Sequence, residues 1–171
     1  MRKIPVFVSC PSDLSKLQNR QRDVLMKLLE EFQLEPRALG RGEYPKDYPL
    51  KEVYIIAKHC AGGLILGFEQ VYVTEGIRKR GTAKHKSIDK KSPMVLPTPW
   101  NHLEAGILFG LKLPLLIFKE PGIEGGVFDY GITDAFVHNL PPPRASKEKI
   151  EELKNVLLKW LGEVSRKYNE Y

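Results

Sequence analysis

Short apolar runs, separated by longer polar and amphipathic segments, set the pattern of this chain. The runs are rich in Val, Ile, Leu and Phe and end at Gly, Pro or polar residues, which predicts buried β-strands. They cover residues 4–10, 34–39, 62–68 and 113–118. Pro36 interrupts the second run, so we predict that this strand lies at an edge of its sheet.

Segments with helical spacing follow the runs. They are predicted to begin after the polar pair Ser12 and Asp13, at residue 50, at Pro99 and after Ser146. The alternation predicts an α/β fold, with one three-layer domain and a central, mostly parallel sheet.

This single domain is predicted to span residues 1–171 and to end in a helix over residues 146–171. A long basic loop over residues 71–98 interrupts the alternation, with a short extended piece at residues 71–73. Residues 40–49, rich in Gly and Pro, are predicted to form another loop.

The helix that begins at Pro99 carries a carboxylate within an apolar stripe. Thr98 is a suitable N-cap, and proline suits the first helical position because its missing N–H would be unpaired there. Helical spacing places Glu104 on one face with Trp100 and Leu108. Since a buried carboxylate is costly unless it is paired or hydrogen-bonded, Glu104 either has a structural role or lines a cleft.

The composition of the chain argues against several classes of protein and of binding site. The chain has 171 residues, is 42% hydrophobic and lacks an apolar run of about eighteen residues, which predicts a cytoplasmic protein with no membrane partner. Cys10 and Cys60 are too few for a disulfide framework or a metal cluster, so we expect reduced thiols and no metal site. Neither a GxGxxG nor a GxxxxGK[ST] motif is present, and we expect no resident cofactor.

The positive charge is unevenly distributed along the sequence. The net charge is +6, and much of it lies in residues 78–91, which favours an anionic partner. Because this loop lacks interleaved aromatics and a reading helix, we interpret it as a solvated, mobile loop and do not expect nucleic acid as a partner. The alternative, nucleic-acid binding through residues 78–91, predicts an affinity that falls steeply with salt.

Loops at the carboxyl ends of parallel strands meet at one rim, where open α/β sheets bind ligands. Glu104 lies about one turn inside its helix and is therefore expected near this rim. His102 points away from it by about 200°, so the two are not expected to act as a pair. The other candidate contacts at the rim are Ser9, Cys10, Ser12, Phe68, Glu69, Trp100 and Asn101.

Together these features resemble the TIR-like and nucleoside 2-deoxyribosyltransferase-like families, which share a flavodoxin-like arrangement. Residues 6–9 before Pro11 resemble the first TIR strand and the loop after it. Residues 100–104 are similar to the Trp-x-x-x-Glu of TIR enzymes that cleave NAD, and residues 104–106 to the Glu-x-Gly of the transferases. Residues 97–99 depart from the Asp-Ser-Gly approach of the transferases.

The resemblance implies cleavage or transfer at an N-glycosidic bond of a nucleotide or nucleoside, with NAD or a nucleoside as the substrate. In that reaction Glu104 is the catalytic carboxylate, because a negative charge stabilises or traps an oxocarbenium-like transition state, or else it holds the ribose hydroxyls. By the same resemblance, Ser9 contacts the nucleotide and Trp100 walls the ribose or base. The alternative is a non-catalytic module that senses a nucleotide or self-associates, and either function is compatible with a homo-oligomer.

Overall fold

The computed structural model describes residues 3–38 and 48–170 of the chain. Within these ranges the helices are α1 (Lys16–Glu31), α2 (Pro49–Lys58), α3 (Pro99–Gly110) and α4 (Lys147–Tyr168). The strands are β1 (Ile4–Ser9), β2 (Leu34–Arg37), β3 (Gly63–Gly67), β4 (Val71–Val73), β5 (Gly76–Arg78), β6 (Lys86–Ile88), β7 (Met94–Leu96), β8 (Leu115–Lys119) and β9 (Val137–Asn139). Most of the predicted loop at residues 40–49 lies outside the described residues.

Five parallel strands form the central sheet in the order β2-β1-β3-β8-β9. This is a flavodoxin-like order, in which the chain turns from one side of β1 to the other after β2. The predicted α/β class and parallel sheet are confirmed, as is the edge position of the strand that contains Pro36.

Side chains alternate between the two faces of the sheet and give it two cores. Val6 and Val8 point into the core shared with α1 and α4, whereas Phe7 points into the core shared with α2 and α3. Since both faces are covered, the continuous apolar runs of the central strands are explained by burial on both sides. In residues 3–38 and 48–170 the layers are therefore two helices, the sheet and two helices.

The fifth strand of the sheet was not predicted. Strand β9 comes from a segment that shows no period in the sequence, and it is only three residues long. It pairs with β8 in the register Ile117↔Val137, and Val137 is buried. The pairing partner, rather than any local pattern, determines that this segment is a strand.

The prediction that residues 71–98 form a loop is wrong, because this segment contains four short strands. The extended piece at residues 71–73 is confirmed as β4, which pairs antiparallel with β7. Beyond it, β5 and β6 form a second antiparallel pair. The segment from β4 to β7 therefore lies outside the central sheet and connects the end of β3 to the start of α3.

The N-terminus of α1 also differs from the prediction. Ser15, rather than Ser12 or Asp13, caps the helix. Its hydroxyl accepts a hydrogen bond from the Gln18 N–H at 3.2 Å, while the Gln18 side chain accepts one from the Ser15 N–H at 2.9 Å. This reciprocal capping box satisfies two backbone donors, an advantage that the earlier polar pair does not have.

Candidate functional site

The candidate site lies where α3 begins, at the carboxyl ends of β1 and β3. The predicted helix start is confirmed, because the Thr98 hydroxyl accepts a hydrogen bond from the Trp100 N–H at 3.3 Å and Pro99 occupies the first turn. Strand β1 ends at Ser9. Glu104 is one turn inside α3 and partly buried.

The buried face of α3 differs slightly from the predicted one. Asn101, Ala105 and Leu108 are fully buried, at helical spacings of four and three residues. Trp100 is 40% exposed, so it is not a core residue. The face is centred one residue further along the helix than predicted, which leaves Glu104 at its border and Trp100 outside it.

Burial changes the protonation of Glu104. It raises the pKa of this carboxyl from 4.5 to about 7, because removal from water disfavours the charged form. A hydrogen bond with the Ser9 side chain acts in the opposite direction and is the weaker effect. Among residues 3–38 and 48–170, no Lys, Arg or His forms an ion pair with Glu104. Both protonation states are therefore accessible near neutral pH, a property typical of catalytic carboxyl groups.

A buried amide orients the hydroxyl beside Glu104. The Asn101 side-chain NH₂ donates to the Ser9 Oγ at 2.8 Å and to the Ser9 carbonyl at 3.4 Å. Because the Ser9 Oγ accepts from Asn101, its own O–H is left to donate to the Glu104 carboxylate. The three side chains thus form a series of hydrogen bonds, in which the Asn101 amide donates to the Ser9 hydroxyl and this hydroxyl donates to the Glu104 carboxylate.

Asn101, at one end of this series of hydrogen bonds, has an acceptor atom without a partner among the described residues. Within the part of the molecule that the structure describes, the buried Oδ1 of Asn101 has no hydrogen-bond partner. An unsatisfied buried acceptor costs on the order of 1–3 kcal/mol. The Asn101 amide is thus oriented with its donor on Ser9 and its Oδ1 without a partner among residues 3–38 and 48–170.

The remaining predicted contacts are dispersed. Phe68 is fully buried in the core shared with α1 and α4, on the opposite face of the sheet from α3, so its ring is not beside Glu104. Cys10 is partly buried, with its Sγ 3.6 Å from the Pro11 carbonyl. Ser12 and Glu69 are exposed. The structure thus brings Ser9 and Asn101 together with Glu104 and leaves Phe68 out.

The two cysteines, Cys10 and Cys60, were predicted to be reduced thiols. Cys10 and Cys60 are not joined by a disulfide, and Cys60 is buried. In the described ranges no three His, Cys, Asp or Glu side chains are grouped as ligands for a metal ion. None of the described helices is both long and apolar enough to cross a membrane.

A segment that the sequence did not reveal follows β8 and packs against α3. The segment after that strand contains a short 3₁₀ turn, Gly126–Phe128, and its Phe128 ring is fully buried. A Cβ at Gly67, the last residue of β3, would overlap that ring. Lys119 fixes the segment by donating to the carbonyls of Ile123 at 2.8 Å and Phe128 at 3.1 Å.

His102 contacts this segment from α3. Its ring packs edge-on against Phe128 at 5.4 Å between centroids, and a Cβ at Gly126, whose φ is +56°, would lie 2.7 Å from its Nδ1. Burial lowers the pKa of His102, while Asp129 opposes that shift. His102 therefore joins α3 to this segment. The sequence features that could have indicated this segment are the pair Gly125 and Gly126 and the aromatic Phe128.

Comparison with protein-family models, with curated proteins and with solved structures found no match. The fold and the contacts around Glu104 are therefore the physical grounds for assigning a function to this chain.

Proposed function

We propose that this protein cleaves or transfers at the N-glycosidic bond of a nucleotide or nucleoside, with Glu104 as the catalytic carboxylate. The observation that supports this most directly is the partly buried Glu104 at the sheet rim, with its pKa raised to about 7 and a hydroxyl held against it. In a site of low polarity a fixed negative charge stabilises an oxocarbenium-like transition state far more than it would in water.

Each residue of the proposed site has a distinct role. Ionised Glu104 stabilises the developing positive charge on the sugar or bonds to it covalently. Ser9 and Asn101 orient that carboxylate rather than touch the substrate, since both are buried. Trp100, 40% exposed on the first turn of the same helix, offers an aromatic face on which a base or ribose can stack. The Trp-x-x-x-Glu resemblance supports NAD as the first substrate to test.

The test compares product formation by wild type, Glu104→Gln and Glu163→Gln. Purified protein is incubated with NAD and with a panel of deoxynucleosides, and released base is quantified by chromatography, from dilute to concentrated protein. Glu163 is an exposed glutamate on α4 and serves as the matched control. We expect Glu104→Gln to lose turnover by a factor on the order of 10² or more, as when comparable charge-stabilising groups are removed. Equal turnover by all three proteins would exclude Glu104 from the mechanism.

A second candidate function, a self-associating module that binds a nucleotide without cleaving it, is favoured by exposed apolar side chains. Leu50 and Tyr54 on α2 and Leu103 on α3 are each about half exposed. Sedimentation with and without NAD distinguishes the two functions. Ligand-dependent assembly without release of base would support the module and exclude the enzyme.

A further inference from the structure

The net charge of the whole chain is confined to one hairpin. Of the 27 Lys and Arg residues seven lie in residues 76–92, together with one of the 21 Asp and Glu residues. The remaining 20 cations and 20 anions cancel. We call residues 76–92, which contain β5, β6 and the turns that follow them, the basic hairpin. The rest of the molecule is electrically neutral, and the +6 charge belongs to this element.

The hairpin holds like charges against each other. Arg78 and Lys86 are directly opposite in the β5–β6 register. Such a cross-strand pair is destabilising, and a two-stranded hairpin is only marginally stable by itself. The one carboxylate, Asp89, is used in a turn, where it accepts from the N–H groups of Lys91 and Ser92 at 2.8 Å each.

No ion pair within the described ranges offsets this repulsion. All seven cations are exposed, and none of them pairs with a carboxylate of residues 3–38 or 48–170. The sequence-based interpretation as a solvated loop assumed that these charges have no fixed arrangement. In the structure Arg78 and Lys86 lie on the paired strands, and the other five cations lie in the turns that follow these strands. The pairing therefore holds the cations within one hairpin, and an external anion would relieve their mutual repulsion.

The composition of the hairpin indicates which anion. Its tip, residues 79–86, contains no large apolar side chain, whereas stable membrane anchoring takes an apolar or lipid anchor in addition to a polybasic patch. Protein–protein interfaces are depleted in lysine, whereas five of the seven cations here are lysines. Lysine is a common phosphate-binding residue, and phosphate contacts dominate affinity for nucleic acids without reading sequence. We propose that the basic hairpin is a binding site for the phosphodiester backbone of nucleic acid, independent of base sequence.

The test measures binding of a fluorescein-labelled, mixed-sequence single-stranded oligonucleotide to the full chain by anisotropy, over a salt series of about 50 to 200 mM. The hairpin variant carries Lys84→Gln, Lys86→Gln, Lys90→Gln and Lys91→Gln. The charge-matched control neutralises four exposed lysines elsewhere: Lys16, Lys27, Lys147 and Lys159. Both variants have the same net charge, so only the position of the removed charge differs.

We expect the hairpin variant to bind at least about tenfold more weakly, and the slope of log affinity against log salt to fall by about 2 to 3, since each single-strand phosphate contact contributes about 0.7. The control is expected to bind within about threefold of wild type, because it retains all the hairpin cations. Glu104→Gln is expected to bind like wild type, so this proposal and the glycosidic activity succeed or fail separately.

Three results would overturn the proposal. One is equal loss of binding in the hairpin and control variants, which would show a net-charge effect. Another is absence of oligonucleotide binding by wild type at the lowest salt. The third is binding of polyglutamate or of phosphatidylserine vesicles as tight as that of the oligonucleotide, which would assign the hairpin to an acidic protein or a membrane surface.

Discussion

Replacing Glu104 by glutamine should stabilise the protein in a pH-dependent manner. The pKa of this carboxyl is about 7 in the folded protein and 4.5 without burial. Below pH 4.5 both states are protonated and folding has no ionisation cost. As the pH rises from 4.5 to about 7, the unfolded chain releases its proton while the folded protein keeps it, so stability is lost across this window.

The size of the effect follows from the same two values. The difference between 4.5 and about 7 corresponds to about 3 kcal/mol at about 1.4 kcal/mol for each tenfold change in an equilibrium constant. Glutamine keeps the shape and still accepts from Ser9 but cannot ionise. We therefore expect Glu104→Gln to be more stable than wild type by about 2 to 3 kcal/mol at pH 8, and nearly equal to it at pH 4.5.

Urea unfolding of both proteins at several pH values checks this, since titrations shared by wild type and variant cancel in the difference. Glu163→Gln, at an exposed glutamate, is the matched control for the substitution itself. A constant difference for Glu104→Gln between pH 5 and pH 8, or a variant less stable than wild type at pH 8, would refute burial of an ionisable Glu104 as the source of the effect.

Turnover and packing give three more predictions. If ionised Glu104 is the catalytic form, turnover of NAD should rise with pH through about 7, and a pH–rate profile that is flat from pH 6 to pH 8 would contradict it. Gly67→Ala should destabilise the fold by about 1–3 kcal/mol in urea unfolding, because the new methyl group would meet the Phe128 ring, whereas Gly162→Ala, with open space around it, should not. Asn101→Leu should remove the donor that orients Ser9 and lower kcat more than the affinity for NAD; equal kcat in both proteins would show that Asn101 is only structural.

Local chemistry made the central helix predictable. Thr98 caps the helix, and Pro99 lacks an N–H at a position where the helix needs none. Both effects are local and operate in almost any fold, and both are present in the structure. The apolar runs were equally informative, because a strand buried on both faces must be apolar throughout. The carboxylate at residue 104 was identifiable for the same reason, as a charged residue in a stripe that should have none.

The features that the sequence did not reveal depend on contacts between residues that are far apart in the sequence. Asn101 was a candidate contact, but its bond to Ser9, 92 positions away, is set by the packing of α3 on β1. The segment at Gly126–Phe128 has no hydrophobic period in the sequence, and its packing depends on the absence of a side chain at Gly67. The exposure of Trp100 reflects a rotation of the buried face by one residue, which spacing rules do not resolve.

The three-residue strand β9 has a consequence for how this chain behaves outside the folded state. Among the described strands it is the one that pairs with the outer edge of β8, whose residues Leu115 to Phe118 are all buried. A truncation or a nick that detaches residues 137–139 would leave an apolar edge with unpaired backbone groups, which readily recruits strands from other molecules. Loss of solubility after such cleavage would thus arise from a segment that contributes little to the core itself.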